Sequence, residues 1–197
     1  MAFRPPPHTC QAAGGHNMAV AYSSSLIAVI LRSDHALMRR IHHWSAPDWV
    51  RLVMVCASSG GDGWFWYALG FAILIFGDGS RFVVVCTGTA ASGIGLVIYG
   101  LLKKVTRRKR PCLIEPHSWA RMLPPDQYSF PSGHTIASFS SAISVGLFYP
   151  SLLPALLSCA ILIAVSRIML GMHFLSDVVV GALMGTSLGY SAYLFVR

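Results

Sequence analysis

Charged residues divide this chain into apolar runs that are long on the scale of a lipid bilayer. From Phe82 to Leu102 no side chain is charged, and Lys103 and Lys104 close the stretch. A hydrocarbon core about 30 Å thick needs about 20 apolar residues in helical form, so this run predicts a transmembrane helix. Thr135 to Ser166 is also uncharged but too long for one crossing. Pro150-Ser151 and Pro154 interrupt it near its middle, which predicts two helices joined by a tight turn. Val178 to Val196, ended by Arg197, supplies a fourth span. The stretch from Gly63 to Gly77 is shorter and opens on Trp64, Phe65, Trp66 and Tyr67, aromatic residues suited to the headgroup belt. Gly77-Asp78-Gly79 would turn this stretch back into the helix that begins at Phe82.

The N-terminal part is less regular. Asn17 to Leu31 is apolar but carries Ser23-Ser24-Ser25, and reads either as a further span or as an interfacial helix. Ser33 to Arg51, with Arg39-Arg40, His42-His43, Trp44 and Trp49, has the mixed character of a helix lying in the membrane interface. Residues 1–16 carry Pro5-Pro6-Pro7 and lack the pattern of a secretory signal, so a flexible tail is expected there. The pattern as a whole predicts an all-α fold: a polytopic transmembrane helix bundle with about five to six spans, formed as a single membrane-embedded domain over residues 17–197.

Composition strengthens the membrane reading. Of the 197 residues, 54% are hydrophobic and 11% charged, against roughly 25% charged in an ordinary soluble domain. The formal charge of +8 is unevenly spread, because Lys103, Lys104, Arg107, Arg108, Lys109 and Arg110 cluster at the end of one apolar run. Such a cluster suits anionic headgroups, a phosphate substrate or nucleic acid. Nucleic acid is disfavoured, since no recognition motif accompanies the run and apolar segments flank it. The five cysteines show no CxxC spacing, which leaves zinc binding without support.

Counting crossings adds a constraint. If the helix from Phe82 delivers Lys103 to one face and the next two helices cross and return, then Lys103, Arg110, His134, Arg167, His173 and Asp177 all emerge on that same face. Lys103 and Arg110 are seven residues apart, so a helix continuing to Pro111 would align both cations as an oxyanion clamp, although a plain membrane-surface anchor explains the run equally well. Pro131-Ser132-Gly133-His134 precedes an apolar helix with a proline, a potential capping serine and a glycine, features that suit an anion-binding helix N-terminus. A plain helix start would account for the proline and serine but not for an ionisable group at the mouth of a span. His173 and Asp177, four apart, are positioned for the carboxylate to accept from one imidazole nitrogen and leave the other free as a nucleophile. An incidental pair at a helix start is the bland alternative. Gly61-Asp62-Gly63 and Gly77-Asp78-Gly79 read as turns, and His8, His16, His35, His42, His43 and His117 as surface or interfacial histidines.

Taken together and in this order, Lys103 with Arg110-Pro111, Pro131-Ser132-Gly133-His134, and Ser166-Arg167 with His173 and Asp177 resemble the three motifs of the type-2 phosphatidic acid phosphatases. That superfamily also includes bacterial acid phosphatases and vanadium haloperoxidases. The resemblance covers about Gly60 to the C-terminus and implies a membrane phosphatase acting on a lipid phosphate or diphosphate. The class includes undecaprenyl diphosphate, phosphatidic acid, phosphatidylglycerol phosphate and lipid A phosphate. It further implies that His173 attacks phosphorus to form a phosphohistidine, that Asp177 orients it, and that His134 serves as acid and then base. Lys103, Arg110, Arg167, the Ser132 hydroxyl and the Gly133 amide would hold the phosphate oxygens. No metal or other cofactor is expected, and no nucleic acid partner. Trp119, Arg121 and Glu115, between the first two motifs, are candidates for shaping a headgroup pocket. A non-lipid phosphatase, a vanadate-binding haloperoxidase-like enzyme, or a transporter or scaffold without catalysis are the competing readings. The positive-inside rule would put the site face in the cytoplasm. Resemblance to bacterial members favours the inner membrane with the site facing the periplasm or exterior.

Overall fold

The computed structural model describes residues 26–115, 117 and 126–197. The expected tail over 1–16, most of the possible span from Asn17, and Trp119 and Arg121 lie outside the described residues. Among the described residues eight helices follow one another: α1 (Leu26–His43), α2 (Asp48–Gly60), α3 (Trp64–Phe76), α4 (Arg81–Thr106), α5 (Pro111–Ile114), α6 (Gly133–Phe148), α7 (Leu153–Met169) and α8 (Leu175–Val196). The described chain is all-α apart from an isolated antiparallel bridge between Lys109 and Tyr128. Among the described helices, α4 and α8 have both the length and the apolar composition to cross a bilayer, while α3 and α7 are shorter apolar helices.

The single interfacial helix expected from Ser33 to Arg51 is instead two. α1 ends at His43 and α2 starts at Asp48. Pro47, with φ −58° and ψ 151°, stands just before α2, where its missing N–H costs nothing, and its carbonyl accepts from Val50 and Arg51. His42, expected at the surface or the membrane interface, is 1% exposed, because α1 lies against the body of the protein and its ring donates from Nδ1 to the Glu115 carbonyl at 3.1 Å.

Helix α6 is the centre of the bundle and touches α4, α7 and α8, while α2 leans on α7, α3 on α4 and α1 on α8. Its contact with α8 is close because Gly181, Gly185 and Gly189 recur every four residues. A Cβ at these positions would come within 3.0 Å of the Ser132 carbonyl oxygen, 2.5 Å of that of Ile136 and 2.6 Å of that of Ser140. Small residues that let backbones approach, with hydroxyls as cross-helix links, are the packing expected where lipid supplies no hydrophobic drive between helices. Trp66 donates to the Ser138 hydroxyl at 3.2 Å, and the Ser92 and Ser141 hydroxyls meet at 2.9 Å. The outward faces carry the large apolar side chains, with Phe71, Phe76, Phe82, Leu183 and Phe195 all exposed. An apolar surface of this extent is a liability in water and the ordinary surface of a protein in lipid.

Candidate active site

Lys103 occupies the last turn of α4, where it is buried. The helix does not continue to Pro111 as expected. It stops at Thr106, and Arg107 takes a left-handed conformation with φ 47°. The chain then extends, with the Arg110 N–H donating to the Gln127 carbonyl at 3.3 Å and the Ser129 N–H to the Arg108 carbonyl at 2.7 Å. Lys103 and Arg110 nevertheless converge, for a reason the spacing did not contain: both pair with Asp126. Lys103 Nζ donates to Asp126 Oδ2 and to the Tyr99 hydroxyl, and Arg110 Nη2 donates to Asp126 Oδ1 at 3.0 Å. Burial alone would raise the Asp126 carboxyl, but the hydrogen bond from Lys103 and the charge of Arg110 outweigh it and hold it below the ordinary carboxylate value.

His173 precedes α8 rather than lying on it, in a turn where Gly171 has φ 66°. Its partner differs from the expected one. Nδ1 donates to the Ser129 carbonyl at 2.6 Å, whereas Asp177 Oδ2 stands 3.8 Å away, beyond hydrogen-bond range. A carbonyl only accepts, so it fixes the proton on Nδ1. Nε2 is left unprotonated, 3.1 Å from Arg110 Nη1, which can only donate. The tautomer expected from the sequence is thus present, set by a backbone oxygen. Burial, with the Arg110 and Arg167 charges adding and Asp177 opposing, pushes the imidazole down from 6.5 to about 4. Asp177 sits in the first turn of α8 and accepts the Phe174 N–H on Oδ2 at 2.9 Å. Its Oδ1 accepts from Arg108 Nη1 at 2.6 Å.

Arg167, near the end of α7, is 3% exposed and donates from Nη1 to the Ser58 hydroxyl, while its Nε is buried without a hydrogen-bond partner. An unpaired buried guanidinium N–H is suited to an anion. Ser132 holds the N-cap position of α6, yet its hydroxyl does not cap the helix and instead accepts from Thr135 Oγ1 at 2.9 Å. Gly133 follows against the Tyr99 ring, 3.2 Å from where a Cβ would stand. His134 is the second residue of α6, and its Nε2 meets Asp62 Oδ1 at 2.6 Å. Asp62, read from the sequence as part of a turn, is also a partner of this histidine. Arg110 and Arg167 are near enough to His134 to act on it electrostatically.

Among the contacts that the sequence reading did not find are Asp126 on the two cations, the Ser129 carbonyl on His173, Asp62 on His134 and Arg108 on Asp177. The signal available for Asp126 was an acidic residue five positions before Pro131. Asp62 and Arg108 gave none, because their partners lie 72 and 69 residues away.

An apolar cavity of about 440 Å³ opens beside His134. It runs between α3, α4 and α6, with His134, Ala137, Ser141 and Val145 along its α6 wall and Tyr99, Leu96, Ser92 and Val85 along its α4 wall. At 1.5 Å rise per residue, His134 to Val145 is about 16 Å of depth parallel to the helices.

Buried Lys103, Arg110 and Arg167 thus gather with His134 and His173 at one site of the helical bundle, and His134 also lines the apolar cavity. Residues 81–197 match the PAP2 superfamily, and the chain belongs to it. It is 35% identical over 100 residues to the decaprenylphosphoryl-5-phosphoribose phosphatase of Mycobacterium tuberculosis, a match covering 51% of this chain and 54% of that one. The chain thus spans about half the length of that curated relative. It is 26% identical over 209 residues to a probable lipid phosphate phosphatase beta of Arabidopsis thaliana, covering 91% of this chain and 96% of that one. Its fold resembles that of the transmembrane PAP2-type phosphatidylglycerolphosphate phosphatase of Bacillus subtilis, with a TM-score of 0.68 at 21% identity over 85% of this chain and 86% of that one. With two helices long and apolar enough to cross a bilayer and large apolar side chains covering its outward faces, the chain is an integral membrane protein.

Proposed function

We propose that this protein is a lipid phosphatase that hydrolyses a lipid phosphate or diphosphate through a phosphohistidine. The observation that carries the reading is the cavity: His134 and Asp62 line an apolar slot that follows the helix axes, and Tyr99 of the same wall accepts from Lys103. A soluble phosphoester has no use for such a slot, whereas an amphiphile would place its phosphate among the cations and its chain between α3 and α4. The relatives named as phosphatases of polyprenyl and other lipids support the same class.

In this mechanism Lys103, Arg110, Arg167, the Ser132 hydroxyl and the Gly133 amide hold the phosphate oxygens, with Asp126 giving way as the substrate takes the two cations. Nε2 of His173 attacks phosphorus, and the bond to the leaving oxygen breaks as His134 protonates it. Asp177 balances the positive charge that His173 gains. His134, now neutral, takes a proton from water, which attacks the phosphohistidine and releases inorganic phosphate, restoring both histidines. Asp62 offers His134 an acceptor that keeps its ring oriented between the two steps. No metal enters these steps. Residues 17–197 would act as one domain, with α3, α4, α6, α7 and α8 as crossings of a bacterial inner membrane and the site towards the periplasm.

The test is a panel of lipid phosphates and diphosphates presented in detergent to the purified protein. Inorganic phosphate should be released, release should survive EDTA, orthovanadate should compete with substrate, and His173→Ala should abolish turnover. Retention of more than a few per cent of activity by that variant would remove His173 as the nucleophile. Hydrolysis confined to soluble esters would favour the non-lipid phosphatase instead.

A further inference from the structure

We propose that Arg108 and Asp34 are positioning residues for the hydrolytic centre, so that helix α1 reaches the catalytic carboxylate through the Arg108 guanidinium. This rests on the phosphatase reading of the same site. Asp34 lies outside residues 81–197, the part of the chain matched to the superfamily.

Two buried carboxylates and one partly buried guanidinium meet here. Asp177 is 0% and Asp34 4% exposed. Arg108 bridges them, with Nη1 donating to Asp177 Oδ1 at 2.6 Å and to the Ser176 hydroxyl at 2.7 Å, and Nη2 donating to Asp34 Oδ2 at 2.7 Å. Asp34 is itself held by α8, since its Oδ1 accepts the Ser176 N–H at 3.1 Å and its Oδ2 the Ser176 hydroxyl. The guanidinium carbon lies 3.9 Å from the centre of the Phe174 ring. A planar fork tied at both ends and stacked on an aromatic face has one orientation available.

That orientation serves Asp177. One of its oxygens is spent on the Phe174 N–H and faces His173, so the other would be a buried anionic oxygen without a partner were Arg108 absent. Without that partner Asp177 would be held less firmly as the anion that balances the charge His173 acquires when it bonds to phosphorus. Asp34 has the complementary task. A guanidinium freed from it could turn both of its nitrogens onto Asp177 in a bidentate pair and draw the carboxylate from the histidine. Arg108 belongs to the basic run but is turned from the phosphate clamp and matched by two acids, so it acts on the carboxylate rather than on substrate.

The experiment compares Arg108→Ala, Arg108→Lys and Asp34→Asn with wild type in the purified full chain, using a lipid phosphate. Arg108→Ala should lower kcat by about 10- to 100-fold, the range for a group that orients a reacting side chain through one intermediary, with KM within about twofold. Arg108→Lys and Asp34→Asn should show smaller losses of the same kind. Added guanidinium should restore part of kcat to Arg108→Ala and leave wild type unchanged. Wild-type kcat in folded Arg108→Ala, or a raised KM at unchanged kcat, would overturn the proposal, the latter marking Arg108 as a phosphate ligand. Should Arg108→Ala fail to fold, wild-type kcat in both Arg108→Lys and Asp34→Asn would overturn it. Failure of wild type itself to hydrolyse any phosphate ester would instead remove the underlying phosphatase reading.

Discussion

The two histidines of the site occupy opposite surroundings. His173 is 3% exposed, with a backbone oxygen on one ring nitrogen and Arg110 on the other, and the residues behind it are cross-tied from α1 and α8. His134 stands at the rim of the apolar cavity, and its partner Asp62 comes from a half-exposed glycine-flanked turn. The contrast fits a division of labour. A nucleophile benefits from being fixed in tautomer and direction before substrate arrives. A group that must exchange protons with a leaving oxygen and then with water belongs where both can reach it, beside the slot for the lipid chain.

Removing the rim histidine should produce a large, substrate-dependent loss. General acid assistance is worth roughly 100- to 10,000-fold, so His134→Ala should lose activity in that range on an alkyl lipid phosphate. On p-nitrophenyl phosphate, whose leaving group needs little protonation, the loss in the burst phase should be markedly smaller. Equal losses on both esters would leave His134 as a phosphate ligand only and erase the contrast.

A smaller effect should come from narrowing the slot. Gly93 lines the cavity, and a Cβ there would meet nothing within 4 Å, so Gly93→Leu starts a side chain at the slot without a clash at its first carbon. Denying burial to two methylenes costs roughly 1.6 kcal/mol, so kcat/KM on a long-chain lipid phosphate should fall about 10-fold while p-nitrophenyl phosphate turnover is unaffected. Parallel losses on both substrates would show that the slot does not hold the chain.

The smallest effect concerns the buried histidine and pH. Its folded value near 4 lies below the ordinary 6.5, so between those values the unfolded chain binds the extra proton. His173 therefore contributes stability that is fully present above pH 6.5 and is lost as pH falls toward 4. Thermal unfolding in detergent should fall over that window more steeply for wild type than for His173→Gln. Parallel curves would contradict the burial of a neutral imidazole.

The helices were legible because apolar runs of bilayer length leave few alternatives, and α3, α4, α6, α7 and α8 all begin within a few residues of their expected starts. The family was legible too, through the order of the three motifs along the chain. What the pattern lacked was the cross-chain pairing of polar groups. Spacing aligned Lys103 with Arg110 through a helix that in fact ends at Thr106, and the two are joined by Asp126 instead. Spacing likewise paired His173 with Asp177 on one helix, whereas the ring nitrogen is claimed by Ser129. Periodicity reports which face of an element is buried. It carries no information on which of several nearby acceptors a buried donor will choose.

In the proposed reaction His173 bonds covalently to phosphorus, and trapping that bond tests the mechanism most directly. Wild type and His134→Ala would be mixed with p-nitrophenyl phosphate, quenched in alkali, where phosphohistidine persists, and digested for peptide mapping by mass spectrometry. Phosphate should be found on His173, at higher occupancy in His134→Ala because the water that clears the intermediate is no longer activated. Turnover without any phosphorylated residue, or with phosphate on a residue other than His173, would contradict the mechanism.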